Sequence, residues 1–583
     1  MMNMNNLKYY EILAKNKELF DAVQLFPSFE ISVLSNITVN QFKEILEFSL
    51  RSEKMNPNIF IGNYDNILQD AQLVSNSKLV IVFWELINYF DGFQYKFFSL
   101  TPEQIVELKQ KFIGEIDLLF KNLENVPQVI FNSFSCSAFN NDLQTNVGLN
   151  DFCESLNSYV RQNHQKNFKL VDANQIFNTI GLDKCINWKN YYVNKIFYTV
   201  DFFKQYVQFI SPIIRNISGK TKKVLVLDCD NTLWKGIIGE DGFKSIQMSA
   251  HDKEGLIYHE IQQLALTLQK RGVLLALCSK NNPADVDEVL QNHKDMVLKD
   301  EYFTIKKVNW NDKVSNLKSI AKELNLGTDS LVFVDDSDFE INLIKEQMPE
   351  VETLQVPKNI FDYPSQLRDL MNMFYSGNIT QEDLKRAEMY KQQLSRNVEK
   401  QQFNSLDEYI GQLDIIVDVF LNDVDTIARV SQMTQKTNQF NLTTKRYTET
   451  EIESFMNNPT SDVFAFNVRD KFGDNGITAL CILNYSGNIA DIDSFLMSCR
   501  IIGRNVEFKI MECLFEHCKK NGIKIVNTQF IKTAKNDQVY DFYDKAGFEV
   551  VNKTDEITNY KIDLSQLEMS TINYIQLNYG RTS

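Results

Sequence analysis

The sequence predicts a multidomain α/β protein with a central open, doubly wound parallel sheet, an α/β domain before it and an α+β domain after it. Three observations carry this. At 583 residues the chain is long enough for three or four domains of about 150 residues each. Hydrophobic residues make up 44% and charged residues 23%, the usage of a protein that buries ordinary cores rather than of a disordered or fibrous chain. Between Val224 and Val334, short buried-type runs alternate with helical patterns, the signature of parallel strands joined by crossover helices. The expected boundaries are 1–215 for the first α/β domain, 216–375 for the central sheet, 376–410 for a helical connector and 411–583 for the α+β domain.

Taken in order, the first domain offers the β-rich runs Leu79 to Trp84 and Gln128 to Phe131 among helical patterns. From Lys220 the signals sharpen. Val224 to Leu227 reads as a buried strand, Glu254 to Arg271 as a helix stopped by Gly272, and Val273 to Leu277 as a second buried strand. Asn282 and Pro283 are an N-cap and a first helical residue, because Asn accepts from orphan amides and Pro lacks the donor that would be wasted there. A helix follows from Lys313 to Leu324, ending at Asn325-Leu-Gly327, and then a strand from Ser330 to Val334. The charged stretch from about Gln381 to Tyr409 has few apolar residues and reads as a connector. Beyond it, Ile415 to Phe420, Val463 to Val468 and Thr478 to Leu483 read as strands. Asn505 to Asn521 reads as a helix and Ile523 to Thr528 as a further strand.

Composition excludes several classes of function. With 61 basic against 76 acidic residues the formal charge is −15, and no basic block offers a footprint for a phosphate backbone, so a nucleic-acid partner is not expected. The nine cysteines form no CxxC pair and no His/Cys pattern at zinc spacing, as reduced thiols of a cytoplasmic protein would. The N-terminal residues lack an apolar signal core, and the longest apolar run, Leu79 to Trp84, is too short for a bilayer, so a soluble chain without a membrane partner is expected.

The chemistry concentrates at three strand ends. Asp228-Cys229-Asp230-Asn-Thr232 follows the first central strand directly, placing two carboxylates where open parallel sheets bind ligands. Ser279-Lys280-Asn281 ends the second strand, Asp335-Asp336 the third, and Lys313 lies between them. The set supplies carboxylates for Mg²⁺, a hydroxyl and cations for phosphate oxygens, and one carboxylate free to attack phosphorus. In order and context these motifs resemble the haloacid-dehalogenase (HAD) superfamily of phosphoryl-transfer enzymes. The resemblance implies that Asp228 is the nucleophile, that Asp230 is the general acid and base, and that Thr232, Ser279, Lys280 and Lys313 bind phosphate. It implies a Mg²⁺ site formed by Asp228, Asp230 through its backbone carbonyl, Asp335 and Asp336.

Longer motifs narrow the resemblance. Asp228-Cys-Asp-Asn-Thr-Leu-Trp-Lys-Gly-Ile-Ile-Gly-Glu-Asp-Gly242, Asn309-Trp-Asn-Asp-Lys313, Met433 to Thr444, Phe472 to Gly476 and Phe495 to Gly503 are similar to the FkbH-like, HAD-IIIC proteins, over about residues 200 to 560. Lys235 stands where that family usually has Gly, and it either alters the turn beside the site or adds a cation. The family is associated with dephosphorylating 1,3-bisphosphoglycerate and passing its glyceryl unit to the phosphopantetheine thiol of an acyl carrier protein. A plain phosphatase acting on a small phosphorylated sugar or acid, as in polysaccharide assembly, is the alternative. The segment from Gly242 to Ser279 holds one helix and one strand, leaving no room for a large cap, which suits a protein-borne acceptor. Members of that family have been proposed to hold the glyceryl group on an enzyme cysteine as a thioester, which makes Cys229, between the two carboxylates, the candidate here. Against that, period-two alternation turns it to the core if Asp228 and Asp230 face the site, and flanking carboxylates disfavour a thiolate.

The last domain, through Arg500-Ile-Ile-Gly503-Arg-Asn505 at a helix start and Tyr540 to Phe548, looks like the GNAT acyltransferase fold. That resemblance implies contacts from Arg500, Gly503 and Asn505 to the pantetheine arm of coenzyme A or of a carrier protein, with Tyr543 in the place of a general acid. Asn505 replaces a small loop residue of the family. The first domain stands where relatives carry an SGNH-hydrolase-like domain. Its nucleophile motif is missing, since neither Phe26 to Glu30 nor Ser35 to Thr38 has the Gly-Asp setting, so docking or scaffolding is expected of it.

Overall fold

Runs that are apolar without alternation become strands covered on both faces, and in this chain they build two wholly parallel sheets. The computed structural model describes residues 4–139, 147–377, 380–400, 410–533, 535–565, 567 and 572–579. The chain divides into two compact units, Met1–Ser211 with Thr448–Glu451, and Pro212–Tyr447 with Ile452–Ser583.

The first unit holds β1 (Ser28–Ser35), β2 (Asn56–Ile61), β3 (Leu79–Phe83), β4 (Val129–Asn132) and β5 (Phe168–Val171), in the order β2-β1-β3-β4-β5 with every pair parallel. Leu79 to Phe83 are all fully buried, which is why that run has no polar face. Its core is aromatic, with Phe42, Phe83, Phe203 and Tyr206 packed edge to face or tilted.

The second unit opens with β6 (Val224–Leu227), β7 (Leu274–Ser279), β8 (Phe303–Val308), β9 (Leu331–Asp335) and β10 (Glu352–Gln355), again wholly parallel, in the order β10-β9-β6-β7-β8. The order reverses at β6, so its carboxyl end faces a crevice between neighbouring strands. Alternation divides its side chains: Leu225, Leu227, Leu275 and Leu277 enter one core with Ile261 and Leu367, and Val224, Val226, Leu274 and Ala276 enter the other with Leu317 and Ile344. Burying each such side chain fully is worth about 1.5–3 kcal/mol, so neither face tolerates a register slip. β8 and β10 were not expected from the sequence, because these edge strands mix half-buried polar residues such as Lys306, Lys307 and Glu352 into short runs. Between β6 and β7 the described residues form only the turn Ile238–Asp241 and the helix Gly255–Lys270, and no cap domain is present among them.

The last sheet is mixed and nine-stranded. It contains β11 (Ile415–Leu421), β12 (Phe440–Asn441), β13 (Ser461–Asp470), β14 (Gly473–Ser486), β15 (Ile489–Met497), β16 (Ile525–Ile531), β17 (Glu549–Lys553), β18 (Ile557–Asp563) and β19 (Ile575–Tyr579). The helix Val506–Lys520 packs on its core. The architecture is thus α/β and multidomain, with a wholly parallel central sheet that carries no large cap among the described residues and a mixed α+β sheet after it.

The expected connector forms two helices, Gln381–Leu384 and Arg386–Lys400, and residues 401 to 409 of it lie outside the described residues. It is not a solvated spacer. Met389 and Tyr390 are buried, Tyr390 within the core of the parallel sheet, and Arg396 pairs with Asp470 at 2.8 Å. Gly272 explains how closely it packs: its φ is +87°, and a Cβ there would lie 2.4 Å from the carbonyl oxygen of Asp383. No helix among the described residues is long and apolar enough to cross a membrane.

Candidate active site

Strand pairing brings the three motif-bearing strand ends together. Leu227 lies beside both Leu277 and Val334, so Asp228, Ser279 and Asp335 emerge at adjacent carboxyl ends. Lys313 reaches them from the first turn of the helix Lys313–Glu323, which Asp312 caps by accepting the Ser315 amide at 2.7 Å. Its ammonium donates to Asp228 Oδ1 at 2.8 Å and to Asp335 Oδ2 at 2.5 Å.

Burial dominates the electrostatics. Asp228 is pushed up to about 7, chiefly by burial and also by Asp335, against the pull of Lys313. Burial likewise raises Asp336, with Asp335 adding to it. For Lys313 burial opposes the charge, but Asp228 and Asp335 outweigh it and hold the ammonium above its ordinary range. Carboxylate oxygens of Asp228, Asp335 and Asp336 all lie within 4.8 Å of one another. Hard oxygen donors crowded at that spacing fit a Mg²⁺ ion, whose ligands sit at about 2.0–2.1 Å and whose charge would relieve the repulsion.

Asp230 is held by three donors: Trp234 Nε1 at 2.9 Å and the Ile238 amide at 3.0 Å bond Oδ1, and Asn281 Nδ2 bonds Oδ2 at 2.9 Å. Asn281 also donates to Ser279 Oγ at 3.1 Å, tying the ends of β6 and β7 together. The loop that makes this possible turns at Asn231, with φ +50°, whose Oδ1 accepts the Gly236 amide at 3.0 Å. The sequence motifs contain Asn281 and Trp234 but assign neither a role. The signal for Asn281 was its place two residues past Ser279, within reach of the same crevice.

Other residues singled out from the sequence sit differently. Cys229 is fully buried in the core with Leu225 and Leu227, as alternation requires, and burial with the Asp228 charge raises its thiol well above the ordinary range. Thr232 is 0% exposed and its hydroxyl has no hydrogen-bond partner among the described residues. Lys280 stands at the rim paired with Glu340 at 2.6 Å. Lys235 pairs with Glu254 at 2.5 Å.

In the last domain the residues singled out for pantetheine contacts take the following places. Arg500 is buried under the connector, donating to the Asn475 carbonyl at 3.1 Å with its guanidinium 5.8 Å from the Tyr390 ring centre. Gly503 and Asn505 both adopt positive φ, and Asn505 donates to the Tyr574 hydroxyl at 2.7 Å. Tyr543 is buried against Phe548 and Tyr560, which raises its phenol. β15 and β16 pair only through Ile489 to Asp491 and Ile525 to Asn527, then part. The chain itself bridges the gap: β12 pairs with β15, the Leu442 amide donates to Phe495 at 3.2 Å, and the Ile531 amide donates to Leu442 at 2.8 Å.

No family model matches the sequence, and no curated protein matches it. Among solved structures, the N-terminal part of protein BF1531 from Bacteroides fragilis, described as containing a phosphatase domain and complexed with Mg, matches with a TM-score of 0.53 and 23% identity. The match covers 64% of this chain and 100% of that one. At that identity the match establishes a shared fold. The ribosomal-protein-S18-alanine N-acetyltransferase of Escherichia coli matches at a TM-score of 0.21 and 12% identity, over 27% of this chain and 97% of its own. The GNAT domain of S. lividans PAT matches at 0.21 and 13%, over 25% and 89%.

Proposed function

We propose that this chain is a Mg²⁺-dependent phosphoryl-transfer enzyme of the HAD type, acting on a small phosphorylated substrate through an aspartyl-phosphate at Asp228. The observation that carries the reading is the buried triad of Asp228, Lys313 and Asp335 at adjoining strand ends, with Asp336 completing a cluster of three carboxylates. Asp228, Asp335 and Asp336 would hold Mg²⁺, with the Asp230 carbonyl as a further ligand, and the ion would supply positive charge to the transferring phosphoryl group. Asp228 attacks phosphorus in line as a carboxylate while the bond to the leaving oxygen breaks. Asp230, fixed by Trp234, Ile238 and Asn281, gives a proton to that oxygen and later takes one from the water that hydrolyses the aspartyl-phosphate. Lys313 and Ser279 neutralise and orient phosphate oxygens. The fold shared with the phosphatase-domain structure solved with Mg supports this reading.

The sequence resemblance to FkbH-like proteins extends the proposal to 1,3-bisphosphoglycerate as substrate and a carrier-protein thiol as acceptor of the glyceryl unit. The mouth of the site favours a large acceptor. Trp310, Phe339 and Phe361, which follow the carboxyl ends of β8, β9 and β10, are 74%, 68% and 69% exposed, beside a crevice without a cap. The buried thiol of Cys229 does not favour a route through that residue. The SGNH-like domain is proposed to dock or scaffold.

The test is phosphate release with Mg²⁺ from acyl phosphates and sugar phosphates, with intact-protein mass spectrometry. Release by wild type, and its loss in Asp228→Asn, is expected. Undiminished turnover in Asp228→Asn would remove the nucleophile and the proposal with it. Glyceryl transfer to an added pantetheinylated carrier protein, retained in Cys229→Ala, distinguishes the transferase from a plain phosphatase.

A further inference from the structure

A second basic site lies at the opposite end of the central sheet, where the connector and the C-terminal domain meet it. A cavity of about 20 Å³ is lined there by Lys222, Lys223, Arg271, Arg386, Lys436 and the Ser376 hydroxyl among others, and none of its lining residues is acidic. Lys223 immediately precedes β6 and Arg271 lies just before β7, so the cavity sits at the amino ends of strands whose carboxyl ends carry Asp228 and Ser279. At about 3.3 Å per residue the two sites are on the order of 15 Å apart.

The cations are hydrogen-bonded but poorly neutralised. Lys222 donates to the carbonyls of Asp329 at 2.7 Å and Glu350 at 3.1 Å, and Lys223 to the carbonyl of Lys436 at 2.6 Å. Lys436 reaches Ser376 Oγ at 3.2 Å and Asp383 at 3.4 Å, and Arg386 bonds the Gly272 carbonyl at 3.2 Å and Asp383. Asp383 therefore serves both Arg386 and Lys436, and it also accepts from Gln432 and Thr380. The neighbouring carboxylate of Asp329 is engaged by Lys535. Burial, with Arg386 beside it, pushes Lys436 down to about 7, and burial pushes Lys223 down to about 8. Burial lowers Lys222 too, against the pull of Glu352 and Asp329 and with Lys535 and Arg215 adding to it; Arg429 adds to the crowding around Lys436. Carbonyl partners satisfy donors without cancelling charge, and buried unpaired cations are costly.

We propose that this cavity binds an oxyanion of the phosphate class, with one oxygen seated among Lys223, Arg386 and Lys436 and the remainder facing outward to Lys222 and the exposed Arg271. The volume is a little more than the ~10–15 Å³ one water needs, which fits a single oxygen in the floor. A tetrahedral dianion presents oxygens to cations from several directions, as these do from the sheet, the connector and the C-terminal domain. Bound there, it would fasten the C-terminal domain and the connector to the sheet. The proposal is independent of the reaction assigned to Asp228.

Equilibrium dialysis of the full chain against inorganic phosphate tests it. Wild type is expected to bind one equivalent more than Arg271→Gln/Lys436→Gln, or to bind it roughly tenfold more tightly, and phosphate should raise the unfolding temperature of wild type more than that of the double variant. Repeating the comparison in Lys313→Ala with EDTA removes the contribution of the active site; if that variant fails to fold, Arg271→Gln alone against wild type serves. The same stoichiometry and affinity in wild type and variants, or no saturable binding beyond the active site at tens of millimolar phosphate, overturns the proposal. Methyl phosphate in place of phosphate separates the sources. Equal binding assigns the site to the phosphoryl group of a small molecule, and exclusive binding of inorganic phosphate assigns it to the free ion.

Discussion

Replacing Lys313 with Met keeps the length of the side chain and removes the charge between two buried carboxylates. With Nζ 2.8 Å from Asp228 and 2.5 Å from Asp335, the gross attraction is about 6 kcal/mol to each at an effective dielectric near 20. Desolvation cancels a large share of this, and removing one partner from a buried ion pair costs about 3–5 kcal/mol. Lys313→Met without metal at about pH 8 is therefore expected to lose stability in that range by urea unfolding. The loss has a signature in pH. Asp228 already stands at about 7 because burial and Asp335 raise it, and Lys313 is the group that pulls it down. Without Lys313 its folded-state value rises further above the ordinary 3.8. A carboxyl group raised in this way contributes stability that is fully present below the unfolded value and is lost as pH rises through the folded one. The deficit of the variant should accordingly be small near pH 4 and grow through pH 7 and beyond, and Mg²⁺ should restore more stability to the variant than to wild type. Phosphate release should fall by about 10²–10³-fold. A variant as stable as wild type at about pH 8 in EDTA, or a deficit that does not change with pH, would refute the reasoning.

Three further outcomes follow from the same geometry. Glu85, buried at the end of β3, is raised by burial to about 7, so the first unit should lose stability as pH rises from about 4.5 through 7. Glu85→Gln should abolish that dependence and gain up to about 3 kcal/mol at pH 8, read by chemical denaturation. Asn281→Ala removes the donor to Asp230 Oδ2, and kcat should fall about tenfold or more with KM little changed, as steady-state kinetics would show. Gly272→Ala forces a side chain into positive φ and against the Asp383 carbonyl, so the unfolding midpoint of the second unit should drop by an amount corresponding to at least about 2 kcal/mol.

What the sequence made legible was set by short-range rules. β6, β7 and β9 could be read because each is a run of buried apolar residues ended by polar ones, and in a parallel sheet such ends converge wherever the strands pair. Burial of Cys229 followed from the period of two alone. Partnerships that depend on chain segments far apart were not legible. Glu340 takes Lys280, 60 positions away; Tyr390 packs against Arg500; and the short β12 pairs with β15. The connector shows why. Its composition is that of a solvated helix, but burying Met389 and Tyr390 on the sheet and pairing Arg396 with Asp470 needs only three residues among many polar ones, too few to create an apolar period. The same docking carries Arg386 and Asp383 to the amino end of the sheet, where Lys222, Lys223, Arg271 and Lys436 meet them. Those cations are separated by as many as 214 positions and form no basic block, so a net charge of −15 conceals a concentrated positive site that arises only when the domains pack.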